Sequence, residues 1–173
     1  MKEDIAAVGD KVLSGAAQPP GRDFLERRSR LMSKLIDHVH LTSVHIIDDS
    51  RFDADVLASN LRKVVGREVR IAISLAAANL KSEWGERPPD VVFIDDRLGH
   101  GVTALSVMPQ LRRMGYTGPM VAVSGVLTPR RRGELVRAGA SEVLHKDDFN
   151  SLRLIELLLE LFAPGEEGAG GHL

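Results

Sequence analysis

Apolar residues in this chain come in short unbroken runs, separated by stretches whose apolar positions recur every three or four residues. "SVHIID" from Ser43, "EVRIAIS" from Glu68, "PPDVVFID" from Pro88, "GPMVAVS" from Gly118 and "SEVLH" from Ser141 are runs of the first kind. Rich in Val and Ile and bounded by Gly, Pro, Ser or Asp, they predict five strands. The intervening stretches predict helices over residues 50–66, 75–85, 102–115, 128–139 and 150–162. Gly66 closes the first of these, and Pro109 is expected to start or kink the second half of the third. Thr128 and Pro129 have the residue types of an N-cap and a first helical position. Upstream, "RDFLERRSRLMSKLIDHVH" places Leu25, Met32, Leu35, Ile36 and Val39 on one face, predicting an amphipathic helix. Arg28 interrupts that face, which weakens a strict coiled-coil seam.

Strands that are apolar throughout belong to a parallel sheet covered on both faces. Right-handed crossovers then give an open, doubly wound α/β sheet. The expected organisation is a flexible N-terminus over 1–21, the amphipathic helix over 22–41, an α/β domain over 42–163 and a disordered tail over 164–173. The stripe of the first helix needs a cover. Dimerisation through residues 22–40, packing on the α/β domain and connection to a partner all satisfy it.

Composition narrows the function classes. Hydrophobic residues make up 43% of the 173 residues, enough for a core, and aromatics only 4%, so the core is aliphatic. A formal net charge of −1 argues against a dedicated nucleic-acid or membrane-surface protein. The absence of cysteine excludes disulfides, thiolate metal sites and cysteine nucleophiles. No apolar stretch approaches a membrane span, and the first residues lack a secretory signal pattern, so a cytoplasmic location is expected.

Ligands on doubly wound sheets bind beyond the carboxyl ends of the strands. Strand one ends in Asp48 and Asp49, strand three in Asp95 followed by Asp96, strand four in Ser124, and strand five leads to Lys146. With the common strand order 2-1-3-4-5 and a spacing of about 4.8 Å, the acidic pair falls about 5 Å from Asp95, with Ser124 on its other side. Lys146 starts about 10 Å away and its side chain spans much of that gap. Clustered carboxylates suit a hard cation such as Mg²⁺. A carboxylate beside it can attack phosphorus to give an acyl phosphate, with the lysine and the hydroxyl stabilising charge on the phosphoryl oxygens. No Gly-rich phosphate loop follows strand one, which disfavours nucleotide binding.

"IIDDS", "DVVFIDDRLG", "VAVSG" and "RAGASEVLHKDDF", in this order and at these strand ends, resemble the receiver domain of two-component response regulators over about residues 43–163. The resemblance implies a flavodoxin-like (βα)5 fold and Mg²⁺-dependent phosphorylation of an aspartate by a histidine kinase or histidine phosphotransferase. It makes Asp95 the phosphoacceptor, Asp49 a direct metal ligand and Asp48 a carboxylate acting mainly through metal-bound water. The backbone carbonyl of Arg97 becomes a further metal ligand, Ser124 the hydroxyl that moves toward the phosphoryl group, and Lys146 its lysine partner. Three positions depart from the family pattern. Gly99 and Asp147 stand where prolines are usual, and Val143 stands at the aromatic switch position. The usual coupling of serine movement to aromatic rotation therefore has no standard form here.

Asp96 is a second possible acceptor, but strand register favours Asp95 and makes Asp96 a loop residue pointing away. Arg130, Arg131 and Arg132 are expected to form a solvated helix start, with an acidic partner as the alternative. The six histidines show no metal-ligand spacing and are expected to be structural or exposed. The expected function is a single-domain phosphoacceptor with no enzymatic output of its own. It controls a downstream protein or drains phosphoryl groups from a shared kinase. A non-phosphorylated adaptor acting through the N-terminal helix is the alternative of another class. An aspartate-nucleophile phosphohydrolase would want two carboxylates two residues apart at strand one, which "IIDDS" lacks.

Overall fold

β-Branched side chains are stiff and pack well on a pleated surface, and the five Val- and Ile-rich runs all become strands. In the computed structural model, which describes residues 21–163, these are β1 (Ser43–Ile47), β2 (Arg70–Ser74), β3 (Val91–Asp95), β4 (Met120–Ser124) and β5 (Glu142–His145). They form one parallel sheet in the order β2-β1-β3-β4-β5. Every residue of β1, β3 and β4 is buried, whereas β2 and β5, at the two edges, are partly open. The expected flexible N-terminus, apart from Gly21, and the expected tail over 164–173 lie outside the described residues.

Six α-helices cover the sheet among the described residues: α1 (Arg22–His38), α2 (Arg51–Val65), α3 (Leu80–Trp84), α4 (Ala104–Arg113), α5 (Pro129–Arg137) and α6 (Ser151–Phe162). Alternate strand residues face opposite layers. Val44, Ile46, Phe93 and Val121 pack with Leu57 and Leu61 of α2 and Leu154 and Leu158 of α6. Ile47, Ile94 and Val143 pack on the other face with Val107 and Leu111 of α4 and Leu135 of α5. Helix α1 lies against α6, buries Leu35 in the first layer, and is pinned by Arg27 to Glu156 at 2.6 Å and by Arg28 to Ser151 at 3.2 Å. The stripe packs on the α/β domain only in part: Leu35 is buried and Met32 and Val39 are partly so, while Leu25 and Ile36 remain 51% and 66% exposed.

Two helices differ from expectation. The helix expected over 75–85 shrinks to α3 because Leu75 is exposed and Asn79 takes a left-handed φ of 60°, so no apolar face is buried before Leu80. The helix expected from residue 102 starts at Ala104. Val102 instead closes a loop in which Leu98 N donates to Val102 O, with Arg97 bridged to Thr103. Pro109 sits within α4, which continues through it to Arg113.

Candidate metal and phosphoryl site

The site is built by strands that stop at the same edge. Asp95, the last residue of β3, is paired in register with Val123, one residue before the end of β4. β1 runs alongside β3 and ends one residue before Asp48. Carboxylate oxygens of Asp48, Asp49 and Asp95 consequently all lie within 4.8 Å of one another, with Asp48 and Asp95 buried and Asp49 exposed. The Ser50 amide donates to Asp48 at 2.8 Å and fixes its orientation.

Lys146 follows β5 in a short 3₁₀ turn (Lys146–Asp148). Its ammonium lies 3.4 Å from Asp48, 3.5 Å from Asp95 and 2.7 Å from Asp53. Burial and the neighbouring Asp48 charge push the Asp95 carboxyl up to about 6, against the opposing pull of Lys146 and of the Arg97 amide that donates to it. Burial likewise raises Asp48, opposed by the Ser50 hydrogen bond and by Lys146. Asp95 is thus a desolvated carboxylate with an elevated proton affinity, a state that a cation relieves.

Asp95, Ser124 and Lys146 line one cavity of about 180 Å³ together with Asp96, Arg97, Gly125 and Val126. The Arg97 side chain is exposed, and its backbone amide donates to Asp95. The Ser124 hydroxyl donates to the Val126 carbonyl at 2.8 Å and lies 3.5 Å from the Asp96 carboxylate.

Two expectations are corrected. Asp96 does not point away into a loop but is only 4% exposed. Arg131 is not part of a solvated helix start: its Nη2 and Nε donate to the two Asp96 oxygens at 2.6 and 2.9 Å, and its Nη1 to Glu134 at 3.0 Å. The hydrogen bonds to Asp96 and Glu134 raise the already high pKa of this guanidinium further. Arg130 does remain a solvated side chain.

Asp53 was also not anticipated. Its amide donates to the Ser50 hydroxyl at 3.2 Å, the N-cap of α2, and "SRFD" has the Ser-x-x-acid spacing that would have marked it as a capping position. Nothing in the sequence pairs Asp96 with Arg131, 35 residues later.

No protein-family model matches this chain, and no curated protein matches it. Solved structures do. The signal receiver domain of a DNA-binding response regulator from Colwellia psychrerythraea superposes with a TM-score of 0.60 at 23% identity, over 69% of this chain and 97% of that one. A chemotaxis protein of Vibrio cholerae gives 0.60 at 17% identity, over 70% and 99%. The receiver domain of a Francisella response regulator gives 0.58 at 18% identity, over 69% and 95%. The chain has the flavodoxin-like fold of response-regulator receiver domains, preceded by the helix α1. At these identities the likeness is one of fold.

Proposed function

We propose that this protein is a phosphoacceptor of a two-component or phosphorelay system, phosphorylated on Asp95 by a histidine kinase or histidine phosphotransferase. The observation that carries the reading is the convergence of three carboxylates, a lysine and a serine on one strand-end edge of a receiver-type sheet. The donor set fits a divalent cation such as Mg²⁺, since the converging atoms are carboxylate oxygens and such ions take hard oxygen ligands. Asp48, Asp49 and Asp95 would hold it, with the Arg97 carbonyl as a further ligand. When bound, it would neutralise charge on the phosphoryl oxygens.

The protein's own groups do the rest. An Asp95 oxygen attacks phosphorus, a P–O bond to Asp95 forms, and the bond to the donor breaks with its electron pair going to the departing group. Lys146 already lies 3.5 Å from Asp95 and would pair a phosphoryl oxygen. Ser124, across the cavity, would donate its hydroxyl proton to another. The aspartyl phosphate would then shift the population of receiver conformations seen by a downstream protein, or serve as a sink for a shared kinase. No separate enzymatic output is proposed. A cytoplasmic location fits the reading; among the described residues no helix is long and apolar enough to cross a membrane.

Intact-protein mass after incubation with a small acyl phosphate and Mg²⁺ tests this. A gain of one phosphoryl group by the wild type and none by Asp95→Asn is expected. A wild type that takes neither phosphoryl group nor beryllofluoride would transfer the case to an adaptor acting without phosphorylation, the alternative that Val143 favours by removing the aromatic switch.

A further inference from the structure

Asp96 has no task in the phosphoryl chemistry just described, yet it is buried directly beside the acceptor. Left uncompensated, it would oppose the reaction twice. A phosphoryl group brings up to about two negative charges, which an adjacent buried anion repels. The same carboxylate, 3.5 Å from Ser124, would also compete for the only hydroxyl proton on that side of the cavity.

Arg131 answers both problems by taking both Asp96 oxygens in a fork. With Asp96 so engaged, the Ser124 hydroxyl donates to the Val126 carbonyl instead. The fork also has a mechanical side. The Asp96 amide donates to Val123 O at 2.7 Å, which ties this residue to β4, while Arg131 lies in the first turn of α5, with its own amide donating to the Thr128 cap. Asp96 and Arg131 therefore join the acceptor strand to the start of α5, around the segment 124–128.

We infer, building on the reading of Asp95 as acceptor, that Arg131 and Asp96 are positioning residues: a charge-compensated latch that keeps the Asp96 carboxylate from capturing the Ser124 hydroxyl and links the movement of Ser124 to α5. A phosphoryl group on Asp95 draws the Ser124 hydroxyl away from Val126. The Val126 carbonyl loses its donor, and the segment leading into α5 is released at one end while the latch holds the other. Val126, 63% exposed, and Val136, 51% exposed, are then re-presented on the surface. This route needs no aromatic side chain at Val143.

The full chain tests it with a small acyl phosphate and Mg²⁺. Arg131→Gln leaves the buried carboxylate unpaired and is expected to slow phosphorylation of Asp95 by about tenfold. Arg131→Gln with Asp96→Asn removes the offending charge as well and is expected to recover most of that loss. Amide hydrogen exchange with and without beryllofluoride and Mg²⁺ reads the second half. Wild type should change protection across residues 125–133, and the double variant should bind beryllofluoride without that change. Arg131→Lys, which keeps the charge but not the fork, serves if Arg131→Gln does not fold; it should accept phosphate while its α5 response weakens. A wild-type rate for Arg131→Gln, a double variant as slow as the single one, or a wild-type exchange response in the double variant or in Arg131→Lys would each overturn the latch. A wild type that takes up neither ligand would instead mark failure of the acceptor reading, and the latch would fall with it.

Discussion

The ammonium of Lys146 sits 2.7 Å from Asp53 and 3.5 Å from Asp95, so the lysine is held on the first turn of α2 rather than on the acceptor itself. Burial alone would lower its pKa, but the Asp53 hydrogen bond and the Asp95 and Asp48 charges outweigh that and raise it. Asp53→Asn weakens the nearest anchor and removes a neighbouring negative charge. Lys146 is then shared by Asp48 and Asp95, and the Asp95 carboxyl moves down from about 6 toward ordinary values. A carboxyl titration by NMR on metal-free protein checks this. An Asp95 midpoint that stays put would show that Asp53 does not compete for the ammonium.

The same carboxyl gives stability a definite pH dependence. Its folded value, about 6, lies above the ordinary aspartate value of 3.8, so the folded state binds more protons between the two. The stabilisation is full at the acid end of that window and is lost as pH rises through about 6. Compared with Asp95→Asn, metal-free wild type should therefore lose stability between about pH 4 and 6 and level off above that. Added Mg²⁺ should raise the wild-type melting temperature more at pH 7 than at pH 5. Thermal unfolding of both proteins with and without Mg²⁺ measures it, and an equal Mg²⁺ effect at the two pH values would count against metal binding through Asp95.

His45 works with the opposite sign. Buried in β1, it accepts at Nδ1 from Trp84 Nε1 at 2.6 Å, so its proton is on Nε2, which donates to Ser74 Oγ at 2.7 Å while Ser74 donates to Glu83. Burial lowers its pKa despite the nearby Glu83, and a second ring proton would set two donors against each other at Nδ1. With a folded pKa below 6.5, the folded state resists protonation, so stability falls as pH drops below about 6.5. Trp84 is the only tryptophan in the chain. Its fluorescence should report loss of this contact on acidification, before the far-UV signal of the sheet changes. Coincident transitions would show that His45 titrates only on global unfolding.

Gly99 keeps the loop beside Asp49 in shape. Its φ is 72°, and a Cβ there would lie 3.2 Å from an Asp49 carboxylate oxygen. Gly99→Ala should destabilise the protein by about 1 kcal/mol through the left-handed backbone. It should also weaken Mg²⁺ binding, because Asp49 must give way. Mg²⁺ titration followed by thermal shift tests it; unchanged Mg²⁺ affinity would mean that Asp49 adjusts freely.

The strands and their edge were legible because parallel strands buried on both faces must be apolar throughout, which makes the polar residue that ends each run conspicuous. Asp48, Asp49, Asp95, Ser124 and Lys146 were found in that way, and the structure brings them to one edge. The short α3 was not legible: "LAAAN" has good helix formers, but helices in proteins form where a face is buried, and Leu75 buries none. Asp53 was missed: its only sequence signal is the Ser-x-x-acid spacing of a cap, and its second partner, Lys146, lies 93 residues later. Asp96 and Arg131 looked like a loop carboxylate and a solvated arginine because a bidentate pair joining β3 to α5 leaves no periodic trace in either segment.

Helix α1 ends shortly before β1 begins and lies beside α6. Among its residues only Leu35 is fully buried, and its ion pair to Glu156 is solvent-exposed. Such a helix has its own opening equilibrium, well below the free energy of unfolding the sheet. The protein thus has two layers of unequal anchorage. One is the α/β body that holds the carboxylates in place. The other is a helix expected to open before that body unfolds, which amide exchange would read as lower protection over residues 22–38 than over the sheet.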